Sequence, residues 1–489
     1  MSDILNLEPQ RVWRHFHTLT LIPRPSGHEK KAREFLAAFG RGVGLEAIED
    51  QAGNVIIRKP ATPGMEKRMG VILQAHIDMV PQKNADTEHD FRHDPIETVV
   101  DGEWVKARGT TLGADNGLGL AAALAVLESD NIPHGPIEAL FTGNEEAGMT
   151  GARGLRPGVL KGGILMNLDS EDEGELFVGC AGGLDAVATF SVLEQPPPPD
   201  HKGFRLTVSG LRGGHSGMDI SLGRGNANKV MNRLLHDARD RHGLLLGSIE
   251  GGSLRNAIPR ESFAHVALPA TNTASFQESF EALAATIRNE LSSTEPDLHI
   301  EAIPAEIPET VIDDETCSRL LRAVHACPNG VMRMSDTMEG LVETSNNLAI
   351  VRSSQGAVRV ECLLRSSVDS AREELSAMID SVFSLAGATT SFEGGYPGWK
   401  PNPGSPILKV MIAVYKEKFG MEPHIRAVHA GLECGILGGS YPGLDMISFG
   451  PTIRHPHSPD EKAEVASVGR FWEFLVATLA TVPDGDRDT

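Results

Sequence analysis

The sequence predicts an α/β domain built on a mostly parallel sheet between helices and interrupted by an inserted second domain. Three observations carry this reading. Between Val55 and Asp169, apolar runs alternate with helical stretches, the pattern of strands joined by crossover helices. At residues 195–200 the run QPPPPD breaks that pattern, because consecutive prolines favour an extended chain and cannot sit inside a helix. After EGGYPGWKPNPGSP, residues 393–406, the α/β pattern resumes. A chain of 489 residues also exceeds the ~250–300 residues at which a single core stops growing.

Taken in order, VWRHFHTLTLI and HEKKAREFLAAFGRGVG read as helices separated by the turn PRPSG. NVIIRK, GVILQAHIDMV, IEALFTG and GGILMNLD read as buried strands, and GLGLAAALAVLES as a helix with little polar surface. GCAGG, residues 179–183, just precedes the prolines and suggests a boundary near residue 184. ILKVMIAVYKEKFG then reads as helix and LDMISFG as strand. The simplest organisation is a discontinuous domain, 1–183 with 395–489, enclosing an insert at 184–394. The insert carries a faint echo: Asn256-Ala-Ile, FAHVAL and EALAATIR against Asn347-Leu-Ala-Ile, VRVECLL and EELSAMID. Chance similarity of two β-then-α units and true duplication both account for it.

Composition narrows the function. A net charge of −21 repels a phosphate backbone and argues against a nucleic-acid partner. Its simplest meaning is solubility. No apolar run reaches the ~18–20 residues of a membrane span. MSDILNLEPQRVW lacks the basic start and apolar stretch of a secretion leader, and PDGDRDT at the other end carries no lipidation motif. The five cysteines are scattered and include no C-x-x-C pair, which points to a reducing, cytoplasmic setting. Metal ligands, if any, must then be histidine and carboxylate.

Such residues collect where strands end. His76 and Asp78 close GVILQAHIDMV, Glu145 and Glu146 follow IEALFTGN, and Asp169 ends GGILMNLD. Asp115 lies in TTLGADNGLG before the alanine-rich helix, and His457 follows LDMISFG within GPTIRHPHSPDE. The C-terminal edge of an open α/β sheet is where ligands bind. Zinc takes imidazole nitrogen and carboxylate oxygen at about 2.0–2.2 Å, and two such ions ~3.5–4 Å apart need an anionic bridge. Asp115 is the best bridge. His76 and Asp169 complete one metal, Glu146 and His457 the other, leaving room for a shared water. Glu145 is the expected general base, since that water needs an acceptor that is not itself a ligand. Asp78 is expected to accept from the second nitrogen of His76. Singly, each has a structural alternative: a loop histidine, a solvated Glu-Glu pair, an aspartate that caps a helix. Their joint placement is what indicates two metals.

The series HIDMV, GADNGLG, GNEEAGMTGA, NLDSE and HSPDE resembles the dizinc exopeptidase family that includes carnosinases, aminoacylases and carboxypeptidase G. PRPSGHE, LDSEDEGELFVGCAGG, GGHSGMDI, CLLRSSVDS and HAGLECG are similar to its aminoacyl-histidine dipeptidase branch. The resemblance implies a dizinc catalytic domain and, in the insert, an α+β lid that closes over substrate. It implies Asp115 as bridging ligand, His76, Glu146, Asp169 and His457 as the others, and Asp78 and Glu145 as catalytic residues. His457, not His455, stands before Ser-Pro-Asp-Glu as the family pattern requires. In the lid it implies that His215 steadies the oxyanion. It likewise implies that Asn256 and Arg365 meet the substrate carboxylate, and that Gly431 offers it a backbone N–H. His429 and Glu433 receive no role.

The implied activity is hydrolysis of unblocked dipeptides, Xaa-His dipeptides such as carnosine among them, through a zinc-bridging water activated by Glu145. Zinc is the expected metal, although cobalt and manganese suit the same ligands. The alternatives are a tripeptidase, an N-acyl amino-acid deacylase or a carboxypeptidase of the same family, or a non-catalytic binding protein. The insert is large enough for two α+β units, which could close the site within one chain or form the face of a homodimer.

Overall fold

The computed structural model describes residues 3–485. Met1, Ser2 and residues 486–489, on which part of the leader and lipidation readings rests, lie outside the described residues. The chain divides into two compact units: residues 1–179 with 401–427 and 432–489, and residues 180–400 with 428–431. They part at 179/180 and 400/401, where the sequence suggested 183/184 and 394/395. The reason lies in strand pairing. Gly182–Ser191 and Thr389–Tyr396 are neighbours in the sheet of the second unit. The proline run is therefore no boundary; it belongs to the connection between Gly182–Ser191 and His201–Ser209.

The first unit is built on an eight-stranded sheet. Its order is Glu46–Glu49, Val55–Lys59, Ile137–Thr142, Val71–His76, Ile164–Asn167, Asp445–Ser448, Glu175–Cys180, His424–Val428. The four strands from Ile137–Thr142 to Asp445–Ser448 run parallel. The three through Ile164–Asn167 are buried along their whole length, which is why they read as unbroken apolar runs rather than alternating ones. The helix Ala114–Glu128 is buried on nearly every side, as its lack of a polar face requires. It packs between the sheet and the helix Gln10–Thr20. A separate four-stranded sheet, absent from the sequence reading, joins Thr98–Asp101 and Trp104–Ala107 to Lys462–Glu464 and Ile453–Arg454.

The second unit is built on a large antiparallel sheet, eight of whose nine strands form two halves of the same topology. The first half runs His201–Ser209, helix Ala227–His242, Leu245–Gly251, Ser262–Pro269, helix Thr273–Glu290, His299–Ala305. The other runs Gly182–Ser191, helix Asp314–Ala326, Val342–Ser354, Ala357–Ser366, helix Asp369–Leu385, Thr389–Tyr396. Each is βαββαβ, and in each the sheet order is second, third, first, fourth strand. The first half is inserted into the second after its opening strand. They join edge to edge where Glu250 and Gly251 face Arg352 and Val351. One apolar core, including Phe190, Phe204, Phe276 and Phe383, serves both. The duplication is therefore architectural. The two asparagines of the sequence echo are not counterparts, however. Asn256 precedes a short bridge, whereas Asn347 is buried inside a long strand and its amide donates to the carbonyls of Arg255 and Ala257 at 3.0 and 2.8 Å.

Candidate metal centre

The four parallel strands end at one edge, and each leads into a segment bearing candidate ligands. His76 is the last residue of its strand, Asp169 follows Asn167, and Glu145 and Glu146 follow Thr142. Beyond Ser448 the chain enters the small sheet, whose Ile453–Arg454 and Lys462–Glu464 strands pair around the turn that carries His457. His457 adopts a left-handed backbone conformation (φ 61°), uncommon for a residue with a Cβ. Asp115 sits in the first turn of the helix Ala114–Glu128, and it and Asn116 depart from helical angles (ψ 107° and 36°).

These segments converge. Asp115 Oδ1 lies 2.9 Å from His76 Nε2, and Asp115 Oδ2 lies 3.2 Å from His457 Nε2. The carboxylate thus faces one imidazole with each oxygen, the disposition a bridging ligand needs. Asp169 lies 3.3 Å from the same His76 nitrogen, and Glu146 lies 3.0 Å from that of His457. Donor atoms of His76, Asp115 and Glu146 fall within 4.8 Å of one another, close enough to hold a metal ion. The other oxygen of Glu146 is buried without a hydrogen-bond partner. Nitrogen and carboxylate donors in this arrangement suit zinc or a similar divalent cation.

The local field is strongly negative. Burial alone would lower His76, yet the carboxylates of Asp169 and Asp115 hold it well above the usual imidazole value. Hydrogen bonds to Asp115 and Glu146 push His457 up to about 10. Burial raises Glu145 well above the ordinary carboxyl range, and Glu433, Asp169 and Glu146 add to the effect. Glu171, two residues past Asp169, is pushed up to about 8 by burial and by Asp115 and Asp169. A field that draws protons onto histidines attracts a divalent cation for the same reason.

Asp78 corrects one expectation. His76 Nδ1 meets the main-chain carbonyl of Asp78 at 3.1 Å, and the carboxylate stands off at 3.6 Å. The carboxylate is engaged elsewhere. It accepts the backbone N–H groups of Glu145 at 2.8 Å and Glu146 at 3.2 Å, and the Ser26 hydroxyl at 2.8 Å. Asp78 therefore fixes the Glu-Glu turn with its side chain and the imidazole with its backbone.

Other supporting residues had no role in the sequence reading. Glu461 accepts four consecutive backbone N–H groups, from Leu112 to Asp115. Arg24 donates to the carbonyls of Ile77, Asp78 and Gly113. The Asn116 amide donates to Asp169. Beneath the ligands a chain of buried side chains crosses all four parallel strands. Glu433 accepts from Thr142 and Gln74; Gln74 accepts from Asn167, which accepts from Ser448. The sequence signal for these residues is that Arg24, Asn116, Asn167, Glu433 and Glu461 lie inside PRPSGHE, GADNGLG, NLDSE, HAGLECG and HSPDE.

His215, Asn256 and Arg365 belong to the second unit, and so does Gly431, which the sequence placed in the discontinuous domain. His215 Nδ1 accepts the N–H groups of Gly217 at 3.2 Å and Met218 at 3.0 Å. That fixes the neutral tautomer with its proton on Nε2, and burial with the nearby Arg365 charge lowers the imidazole's proton affinity. The Asn256 carbonyl accepts from the Ser216 backbone N–H at 2.8 Å. Buried Arg365 donates to the hydroxyls of Ser216 and Tyr396 at 3.2 and 3.3 Å. Gly431 lies against the Tyr396 ring, where a Cβ would stand 3.0 Å from a ring carbon. His429 Nε2 lies 2.7 Å from the Ser345 hydroxyl.

The profile of Peptidase family M20/M25/M40 matches residues 72–481. The chain is 45% identical to the cytosol non-specific dipeptidase of Escherichia coli (strain K12), over 99% of this chain and 100% of that one. It is 49% identical to the solved structure of aminoacylhistidine dipeptidase from Vibrio alginolyticus, covering 99% of each chain with a TM-score of 0.95. An aminopeptidase structure from Bacillus cereus ATCC 10987 shares the fold at 18% identity, with a TM-score of 0.57 over 97% of this chain and 99% of that one.

Proposed function

The chain belongs to the M20/M25/M40 peptidase family and is a hydrolase of peptide bonds, and from that premise we propose that it is a cytoplasmic dizinc dipeptidase acting on unblocked dipeptides, Xaa-His dipeptides such as carnosine included. The observation that carries the metal reading is Asp115, whose two oxygens face His76 and His457 separately. His76, Asp115, Glu146, Asp169 and His457 are the residues that would hold the two cations. When bound, these supply Lewis-acid polarisation of the scissile carbonyl and acidify a water. Glu145 takes the proton of that water and returns it to the leaving amine. Its place beside Glu146, with a carboxyl that burial and the neighbouring acids raise well above the ordinary range, supports this division of labour. Asp78 holds the turn on which both glutamates sit.

His215, Asn256, Arg365 and Gly431 are assigned to the oxyanion and the substrate carboxylate on the family resemblance. The His215 tautomer supports the first role, because it leaves an N–H to donate. Dipeptide substrates are favoured by relatives named dipeptidases that match the whole chain. The cytoplasmic placement rests on the relative's name and on five buried cysteines without a disulfide. Among the described residues no helix is long and apolar enough to cross a membrane.

The test is turnover of carnosine, a second free dipeptide, its N-acetyl form and a tripeptide, with zinc, cobalt and manganese supplied in turn. Cleavage of the free dipeptides in strong preference to the other two is expected. Preference for the N-acetyl substrate or the tripeptide would replace dipeptidase with a deacylase or tripeptidase reading.

A further inference from the structure

We propose that Glu461 and Arg24 are positioning residues of the metal centre, acting on the bridging carboxylate of Asp115 through the main chain. The inference rests on the two-metal reading above. Glu461 Oε2 accepts the N–H groups of Leu112 at 2.7 Å and Gly113 at 2.9 Å, and Oε1 those of Ala114 at 2.8 Å and Asp115 at 3.2 Å. The Asp115 amide is thus itself one of the four donors. Arg24 takes the opposite polarity of the same turn: it donates to the carbonyl of Gly113 at 2.5 Å, and to those of Ile77 at 2.9 Å and Asp78 at 3.0 Å.

Both side chains are sealed from water, at 2% and 1% exposure. A buried charge is costly unless it is matched: Glu461 is met by four backbone amides, and Arg24 by three carbonyls together with the charges of Glu461, Asp78, Asp115 and Glu146. Four convergent amides form an anion-binding concavity, here filled by the protein's own carboxylate. The connections they make are specific. Glu461 stands four residues after His457 in the same turn, so its carboxylate ties the His457 segment to the Asp115 segment. Arg24 ties the Asp115 segment to the chain leaving His76. The bridging residue and its two histidine neighbours are thereby referenced to one another through main-chain hydrogen bonds. Ligand supports of this kind typically change metal affinity by about 10–100-fold when removed.

Glu138 supplies the control. It is also a buried carboxylate of the same sheet, it accepts the N–H groups of Lys161 at 2.6 Å and Gly162 at 2.8 Å, and it pairs with Arg58. It is the second residue of its strand Ile137–Thr142, at the end remote from His76 and its neighbours. Metal-stripped wild-type, E461Q, R24K and E138Q proteins would be titrated with cobalt(II), following its visible absorption in competition with a chelator, alongside thermal melts. We expect two cations in the wild type, a loss of about 10–100-fold in affinity with an altered spectrum for E461Q and R24K, and for E138Q a lower melting temperature with unchanged affinity. If E461Q does not fold, E461D replaces it, since the shorter acid keeps the charge but cannot span both amide pairs; the same loss is expected. Wild-type affinity and spectrum in the Glu461 and Arg24 variants, or an equal loss in E138Q, would overturn the positioning role. Fewer than two cations in the wild type would instead overturn the dinuclear reading, so the two failures are told apart.

Discussion

Glu145 and Glu146 are adjacent in sequence and differ in environment. Glu146 lies against His457, while the Glu145 carboxyl is raised by burial and by its acidic neighbours. Glu145→Gln should keep both metals and lose about 10²–10⁴-fold in turnover, the usual worth of a general base. Glu146→Gln should weaken metal binding. Metal analysis beside steady-state kinetics reads both, and the reverse pattern would exchange the two roles. The residues of the second unit give a second residue-scale prediction. Arg365→Ala should lose roughly 10–150-fold in kcat/KM on a free dipeptide, from the ~1.5–3 kcal/mol of a charge-assisted hydrogen bond, and much less on the dipeptide amide. His215→Ala should lower kcat with little change in KM, because an oxyanion exists only near the transition state. Equal losses of Arg365→Ala on acid and amide would refute a carboxylate role.

At the scale of the element, the helix Ala114–Glu128 shows why GADNGLG takes the form it does. A Cβ on Gly119 would stand 1.9 Å from the side-chain oxygen of Asn116 and 2.6 Å from the carbonyl of Leu168. One on Gly117 would stand 2.6 Å from Arg24 and 2.8 Å from the Phe16 ring. Both glycines let a ligand-bearing helix approach its supports. Gly119→Ala should therefore destabilise by about 1–3 kcal/mol through overpacking and weaken metal uptake, because Asn116 holds Asp169. Gly469, within the helix Val465–Thr481, has open space at its Cβ position. Gly469→Ala should gain up to about 1 kcal/mol from helix propensity. Chemical denaturation of the two variants, with cobalt titration of the first, checks the contrast; a stabilised Gly119→Ala would contradict it.

For the whole molecule, the sheet edge concentrates carboxylates that the fold must hold together. Asp115, Glu145, Glu146 and Asp169 share the centre, and Glu433 and Glu461 are buried close behind, each raised to about 7 chiefly by burial. Cations that bind only the folded chain add to its stability, by about 2.7 kcal/mol per site at a free concentration 100-fold above Kd. Stripping the metal should abolish turnover and lower the melting temperature, and zinc or cobalt should restore both. A calorimetric trace unmoved by chelation would argue against metals as part of the folded structure.

The sequence by itself determined the local features: which runs become buried strands, which helix has no polar face, and which acids and histidines stand at strand ends. Apolar periodicity and residue chemistry are properties of a few neighbouring positions, so they can be read without a fold. The pairing of Asp115 with two histidines 39 and 342 positions away in the chain, the work of Asp78 on the Glu-Glu turn, and the four-amide grip of Glu461 were decided only by tertiary structure. So was the boundary itself, which composition put near residue 184 and the structure puts at 179/180, because Gly182–Ser191 pairs within the sheet of the second unit. The physical reason is the same in each case. A hydrogen bond to a main-chain N–H or carbonyl leaves no mark on the identity of the residue that supplies it. A carboxylate bound by distant backbone therefore looks, in sequence, like any other glutamate or aspartate.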